Sequence, residues 1–237
     1  MRKPTGKRKT SDILGTILFI TLVLSAIYSL VRVIVFPQEP SAGQAYTHNR
    51  SDYVLMFVQC LLGLVVFSLP SIASHKWKLG IPNFIYVMYY IFLYCAIFLG
   101  EVLDFYYLIP FWDVILHFFS GAMLGALGFI LVSWLNDSDR IHVSLSPAFV
   151  ALFAFCFALS CGAIWEIYEY AFDGLLGLNM QKFITASGEA LVGHAALRDT
   201  MKDIIVDAAA ALLMAVLGYG QLKLTRSERE DPTDMPR

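Results

Sequence analysis

Residues 198–222 read RDTMKDIIVDAAAALLMAVLGYGQL. Asp199, Asp203 and Asp207 recur every four residues, and after Asp207 the chain carries no charge as far as Leu222. Aspartates at this spacing share one face of a helix, about 6 Å from one another. Three like charges on one stripe repel, and the deepest lies where water is scarce. The stretch therefore raises two questions: what solvent surrounds it, and what offsets its charge.

Composition answers the first. Of 237 residues, 58% are hydrophobic and 15% are charged, with a mean hydropathy of +0.64. Soluble domains run near 45–50% apolar and about 25% charged. The apolar residues also fall into blocks long enough to cross a bilayer, which takes about 20 residues. Six blocks qualify, at roughly 13–36, 53–73, 82–100, 112–135, 147–172 and 203–222. The expected fold is an all-α polytopic membrane bundle of six transmembrane helices. Its parts are a basic N-terminus (1–12), one membrane domain (13–222) with a long outer loop at 173–200, and a short tail (223–237).

Basic residues give the orientation. Arg2, Lys3, Lys7, Arg8, Lys9, Lys76, Lys78, Arg140, Lys223, Arg226, Arg229 and Arg237 share one side, against Arg50, Lys182, Arg198 and Lys202 on the other, with Arg32 near the end of the first span. Both termini are expected in the cytoplasm. The first block is too long for the apolar core of a signal peptide and reads as an uncleaved span. The net charge of −2 says little about partners, because the charges are sorted by membrane side. The one basic run, RKPTGKRK, is short and abuts a span, so no nucleic-acid surface is expected. Cys60, Cys95, Cys156 and Cys161 all lie in apolar segments and read as small core residues. Asn49-Arg50-Ser51 matches a glycosylation pattern that is common by chance.

Ionisable groups inside spans are functional candidates by default. The first three spans hold almost none. The fourth brings Asp113 and His117, four apart; the fifth brings Glu166, Glu169 and Asp173 at i, i+3 and i+7; the sixth brings the three aspartates. With a rise of 1.5 Å per residue, His117 lies about 8 Å inside Trp112. Glu166 lies about 9 Å inside Phe172, and Asp207 about 9 Å inside Met201. Three helices thus deliver polar groups to one level.

Seven acids here face three bases: Lys182, Arg198 and Lys202. Lys202 is expected to point away from the aspartate stripe. A buried carboxylate left uncompensated takes up a proton or a cation. An imidazole among carboxylates is a common ligand set for Zn, Mn or Fe, whereas oxygen-only sites favour Mg or Ca. A divalent metal ion is the expected cofactor, with His117, Glu166 and Asp207 as ligands. Asp113 and Asp203 would orient the imidazole or support the ligands, and Glu169 would be the base. A hydrogen-bonded network that shares protons, and a proton relay, are the alternatives. Glu101 and Asp104 read as an exposed acidic loop, with a place at the rim of the site as the alternative, Glu169 and Asp173 also as surface charges, and His194 as a solvated loop residue. His48, His75 and His142 carry no signal. Gly121, Gly125 and Gly128 form a small-residue stripe that would pack the fourth helix against the fifth or sixth.

Taken in order, WDVILHFFSG, WEIYEYAFD and RDTMKDIIVDAAAAL resemble the YjdF-like family of bacterial inner-membrane proteins. Asp113, His117, Glu166, Glu169, Asp199, Asp203 and Asp207 occupy matching positions, and the likeness covers about residues 100–218. It implies the architecture, the bacterial inner membrane and the residue set, and carries no reaction. From position, the expected substrate class is a lipid or envelope ester or phosphoester, hydrolysed with the metal's help. A non-catalytic membrane sensor or assembly factor ranks second. An ion- or proton-coupled transporter ranks third, because FILVSWL, AFVALFAFC and AALLMAVLG leave the inner halves apolar and no internal repeat is visible. The bilayer is the one partner these features establish; they leave oligomeric state open.

Overall fold

Apolar blocks bounded by proline, glycine and charge become helices because a bilayer offers their backbone no other hydrogen-bond partner. The computed structural model describes residues 10–35, 48–78, 80–136, 145–185 and 187–230. Its helices are α1 (Thr10–Val35), α2 (Arg50–Phe67), α3 (Leu69–Lys76), α4 (Asn83–Leu93), a π-helical segment (Tyr94–Val102), α5 (Phe105–Leu108), α6 (Trp112–Asn136), α7 (Pro147–Leu176) and α8 (His194–Glu230). They make six stretches long and apolar enough to span a membrane: 10–35, 50–76, 83–102, 112–135, 147–176 and 194–227. The fifth and sixth are longer than their apolar blocks. Helix α7 runs on to Leu176 and α8 starts at His194, so the connection expected at 173–200 shrinks to 177–193.

The chain divides into two units, residues 1–116 with 165–203, and residues 117–164 with 204–237. In the first unit, Leu18, Leu22 and Ala26 stack at four-residue spacing on α1. They pack with Cys60 of α2, Tyr90 and Leu93 of α4, and Ile97 of the π-helical segment. In lipid such packing is held by close contact rather than by escape from water. Gly63 matters here because its missing side chain admits Ile97 and Leu22. Pro70 breaks the second span, since proline has no N–H to continue the ladder. Tyrosines of α4 bind carbonyls around the break: Tyr89 OH donates at 2.7 Å to Val66 O, which the missing Pro70 N–H leaves free, and Tyr86 OH to Pro70 O at 3.2 Å. Asn49 caps α2, accepting from Asp52 N at 3.1 Å while Asp52 Oδ2 accepts from Asn49 N at 2.7 Å. The capping box explains the Asn-Arg-Ser triplet without a glycan.

In the second unit, α6, α7 and α8 meet along small residues. A Cβ on Gly121 would stand 3.0 Å from Asp207 O and 3.1 Å from Ala210 Cβ. One on Gly125 would stand 2.9 Å from Met214 Cβ, and one on Gly128 2.7 Å from Ala154 Cα. The stripe expected to serve one neighbour therefore serves two, α8 first and α7 further along. Ala154, Ala158, Ala210 and Ala211 complete the buried seam.

Candidate functional site

Within the first unit, three helix ends bring their acids to one small cavity. Asp113 sits in the first turn of α6, where the N-terminal end of the helix dipole favours a negative charge. Glu166 and Glu169 lie one turn apart near the end of α7, and Asp199 and Asp203 one turn apart near the start of α8. These five carboxylates line the cavity with Met180, Gln181, Lys182 and Thr200. Its interior has room for about one water-sized particle. A space of that size suits a single ion and excludes a lipid ester from lying wholly inside. Glu166 and Asp203 are each 4% exposed, so these are buried carboxylates rather than a solvated face.

Residues 180–182 of the connection line this cavity because side chains pin their backbone. Asp173 accepts hydrogen bonds from Met180 N at 2.7 Å and Gln181 N at 3.0 Å. It is buried and organises the loop, which corrects its reading as a surface charge. Gly177 ends α7 at φ +63°, a conformation that glycine adopts without strain. Leu178 and Met180 then pack on Leu55. Asn179 donates to Tyr107 OH at 2.9 Å and Ile184 O at 2.8 Å, and accepts from Ile184 N at 2.8 Å. Gln181 Nε2 donates to Thr200 Oγ1 at 3.0 Å.

Between these anchors Lys182 turns inward, and its Nζ lies 2.6 Å from Glu101 Oε1. Its ammonium also faces the rings of Tyr106 at 4.9 Å and Tyr107 at 5.4 Å. Burial alone would lower its pKa; the attraction of Glu101 and Tyr107 outweighs burial and holds it above the ordinary lysine value. Burial likewise pushes the Tyr106 hydroxyl far above the usual range, with Asp113 and Glu101 adding to the effect.

Glu101 is the second correction. Its short loop looked exposed, yet the π-helical segment, closed by Leu103 N donating to Phe98 O at 3.0 Å, keeps Glu101 in a helix and buried. Asp104 is also engaged: His48 Nε2 lies 2.9 Å from its Oδ1, so His48 carries a role that the sequence did not signal. The hydrogen bond to Asp104 raises the His48 pKa above 6.5, against a smaller lowering by burial. Lys202 does not point away from the aspartates. Its flexible stem folds back, placing Nζ 2.9 Å from Asp199 Oδ1 and 3.6 Å from Asp203 Oδ1.

Within the second unit, His117 Nδ1 lies 3.2 Å from Asp207 Oδ2, and both residues are buried. Asp207 is 1% exposed, and its Oδ1 has no hydrogen-bond partner among the described residues. His117 follows Asp113 by one turn of α6, and Asp207 follows Asp203 by one turn of α8. The structure thus gathers Asp113, Glu166, Glu169 and Asp203 around one cavity, and pairs His117 with Asp207. His194 is exposed, as expected. Sequence reasoning passed over Gln181 and Thr200 as contributors, set Glu101 aside as an exposed loop residue, and gave Lys182 no more than a place in the charge count. One signal for Lys182 was available: it is the only lysine or arginine between Arg140 and Arg198.

A family model described as "Predicted membrane protein (DUF2238)" matches residues 15–224. A Thermotoga maritima protein named only "Uncharacterized protein" is 31% identical over 122 residues, covering 51% of this chain and 54% of that protein. The chain thus spans about half the length of this curated relative. No solved structure matches.

Proposed function

We propose, from the premise that this chain belongs to the DUF2238 family of predicted membrane proteins, that it binds a divalent cation at the carboxylate-lined end of α6, α7 and α8. One observation carries the reading: five carboxylates surround a space for about one ion-sized particle. The burial of Glu166 and Asp203 at its wall, each 4% exposed, supports the reading, since a buried carboxylate is costly without a proton or a cation. Of the ligands expected from the sequence, Glu166 lines that cavity together with Asp113 and Asp203; His117 and Asp207 are kept as ligands on spacing alone, each one helical turn beyond Asp113 or Asp203 in the chain. Asp113 and Asp203 orient or complete the set. The expected preference for Zn, Mn or Fe over Mg rests on His117 as a nitrogen donor.

In its enzymatic form the proposal is metal-assisted hydrolysis of a lipid or envelope ester or phosphoester, with Glu169 as base; a bound cation there supplies Lewis-acid polarisation. The bacterial inner membrane, cytoplasmic termini, a single membrane domain and the narrower YjdF-like kinship belong to the same proposal. They rest on the lysine and arginine distribution and the motif order.

Metal content, measured by mass spectrometry on detergent-purified protein, tests the reading. Wild type should carry about one equivalent of a transition metal, and His117→Ala, Glu166→Gln and Asp207→Asn should lose it. A folded wild type that stays metal-free and binds no added divalent ion overturns it. A loaded protein inert toward lipid and envelope esters overturns the enzymatic form alone.

A further inference from the structure

The cavity wall already carries a cation, the ammonium of Lys182. That group is held between Glu101 and two tyrosine rings at the cavity wall, beside Asp113, Glu166, Glu169, Asp199 and Asp203. A lysine and a divalent ion a few ångströms apart in a buried site repel strongly, and the space accommodates about one small particle. An ion among the lining carboxylates therefore repels the ammonium, whose own ion-pair partner, Glu101, stands outside the lining. Lysine is suited to leaving, because its ammonium rides on a flexible four-carbon stem.

The backbone favours release as well. Lys182 stands at φ +52°, in the left-handed region where a side chain is strained, and Gly177 and Gly193 at the loop's two ends have φ +63° and +59°. The lysine's contacts hold this strained residue in place, while Asp173, Asn179 and Gln181 anchor the backbone around it.

We infer that Lys182 is a tethered counter-ion that a divalent cation displaces from the cavity, so that the connection 177–193 reports whether the site is filled. The inference rests on the divalent-cation reading of the same cavity. Lys182 thereby sets the affinity threshold of the site: the ion must replace an existing cation rather than enter an empty acidic pocket. The signal passes to the end of the molecule that carries Asn179, Gln181 and the Ile184–Ala190 bridge.

Two measurements on the full-length protein in detergent test this. Mn²⁺ is titrated into wild type and into the double variant Lys182→Gln/Glu101→Gln, which removes both members of the ion pair and no cavity carboxylate. The double variant should bind Mn²⁺ about tenfold more tightly or better, because the competing charge is gone. In parallel, wild type is treated with an acetylating reagent with and without Mn²⁺, and lysine modification is read by peptide mass spectrometry. Lys182 should react about tenfold faster with Mn²⁺ present, while Lys223 keeps its rate. This arm needs no variant and decides the matter if the double variant does not fold.

Mn²⁺ binding to wild type with Lys182 still protected overturns displacement and leaves the cation reading standing. So does equal or weaker binding by a folded double variant. Binding by the double variant alone also overturns displacement, because Lys182 then excludes the ion instead of yielding to it. No binding by either folded protein overturns the cation reading itself.

Discussion

The carboxylate of Asp207 lies against the bare backbone of Gly162: a Cβ at residue 162 would collide with Asp207 Oδ2 and stand 2.9 Å from its Cγ. Gly162 is thus the slot that lets the carboxylate lie where it meets His117. Gly162→Ala should cost about 1–3 kcal/mol by overpacking and break the His117–Asp207 contact. Thermal unfolding in detergent checks the first effect, and the ¹⁵N shifts of His117 the second. Gly174→Ala, where a Cβ meets nothing within 4 Å, should leave both unchanged.

Asp173 holds two backbone N–H groups of the connection that follows it. Hydrogen bonds to a charged acceptor contribute more than neutral ones, so Asp173→Ala should cost about 2–3 kcal/mol. Amide exchange at Met180 and Gln181 should rise together. A change within about 0.5 kcal/mol, the usual effect of an exposed residue, would return Asp173 to the role of a surface charge.

Glu101 and Lys182 are 81 positions apart in sequence and form a buried pair. Removing one partner strands the other, so Glu101→Gln and Lys182→Gln should each destabilise by about 3–5 kcal/mol. The double variant should lose much less than their sum. A double-mutant cycle by denaturant titration measures the coupling; additivity of the two losses would contradict the pairing.

His48 gains from Asp104, so its folded pKa exceeds the unfolded value near 6.5. A group raised on folding stabilises fully below its unfolded pKa and loses that contribution as pH rises through the folded one. Wild type should therefore lose stability between about pH 6 and 8, and His48→Gln should lose less over the same range. Asp52 also draws on the charged imidazole and Arg32 opposes it; the fraction of the slope lost in Asp104→Asn isolates the direct partner. Parallel pH profiles for wild type and His48→Gln would assign the dependence elsewhere.

The spans were legible in the sequence because a bilayer demands long uncharged runs, and few other structures supply them. The acids of α6, α7 and α8 were legible for a related reason. Glu166 and Glu169, or Asp199 and Asp203, announce a shared face by spacing alone, and one face of a membrane helix must meet something that tolerates charge. Lys182 was illegible as a site residue. Its direction depends on Asn179 and Asp173 folding the connection, and its partner sits on a distant helix. Glu101 was misread because a π-helical ladder leaves no periodic mark over nine residues, so the helix seemed to end before it. Lys202 was misplaced because its Cα direction was taken for that of its ammonium, which a long flexible stem turns back by one helical turn.

The π-helical segment Tyr94–Val102 has a consequence for how this chain tolerates changes in length. Each of its hydrogen bonds reaches one residue further than in an α-helix, so the segment holds a spare residue in its winding. Deleting one residue between Tyr94 and Gly100 lets the ladder close as an ordinary helix, with Glu101 still directed at Lys182. The same deletion in the first half of α8 has no such slack to draw on. It turns everything on one side of the cut by about 100° relative to the other, and separates Asp203 from the stripe it shares with Asp207. The third span can thus lose a residue and keep its geometry, whereas the sixth must keep its length.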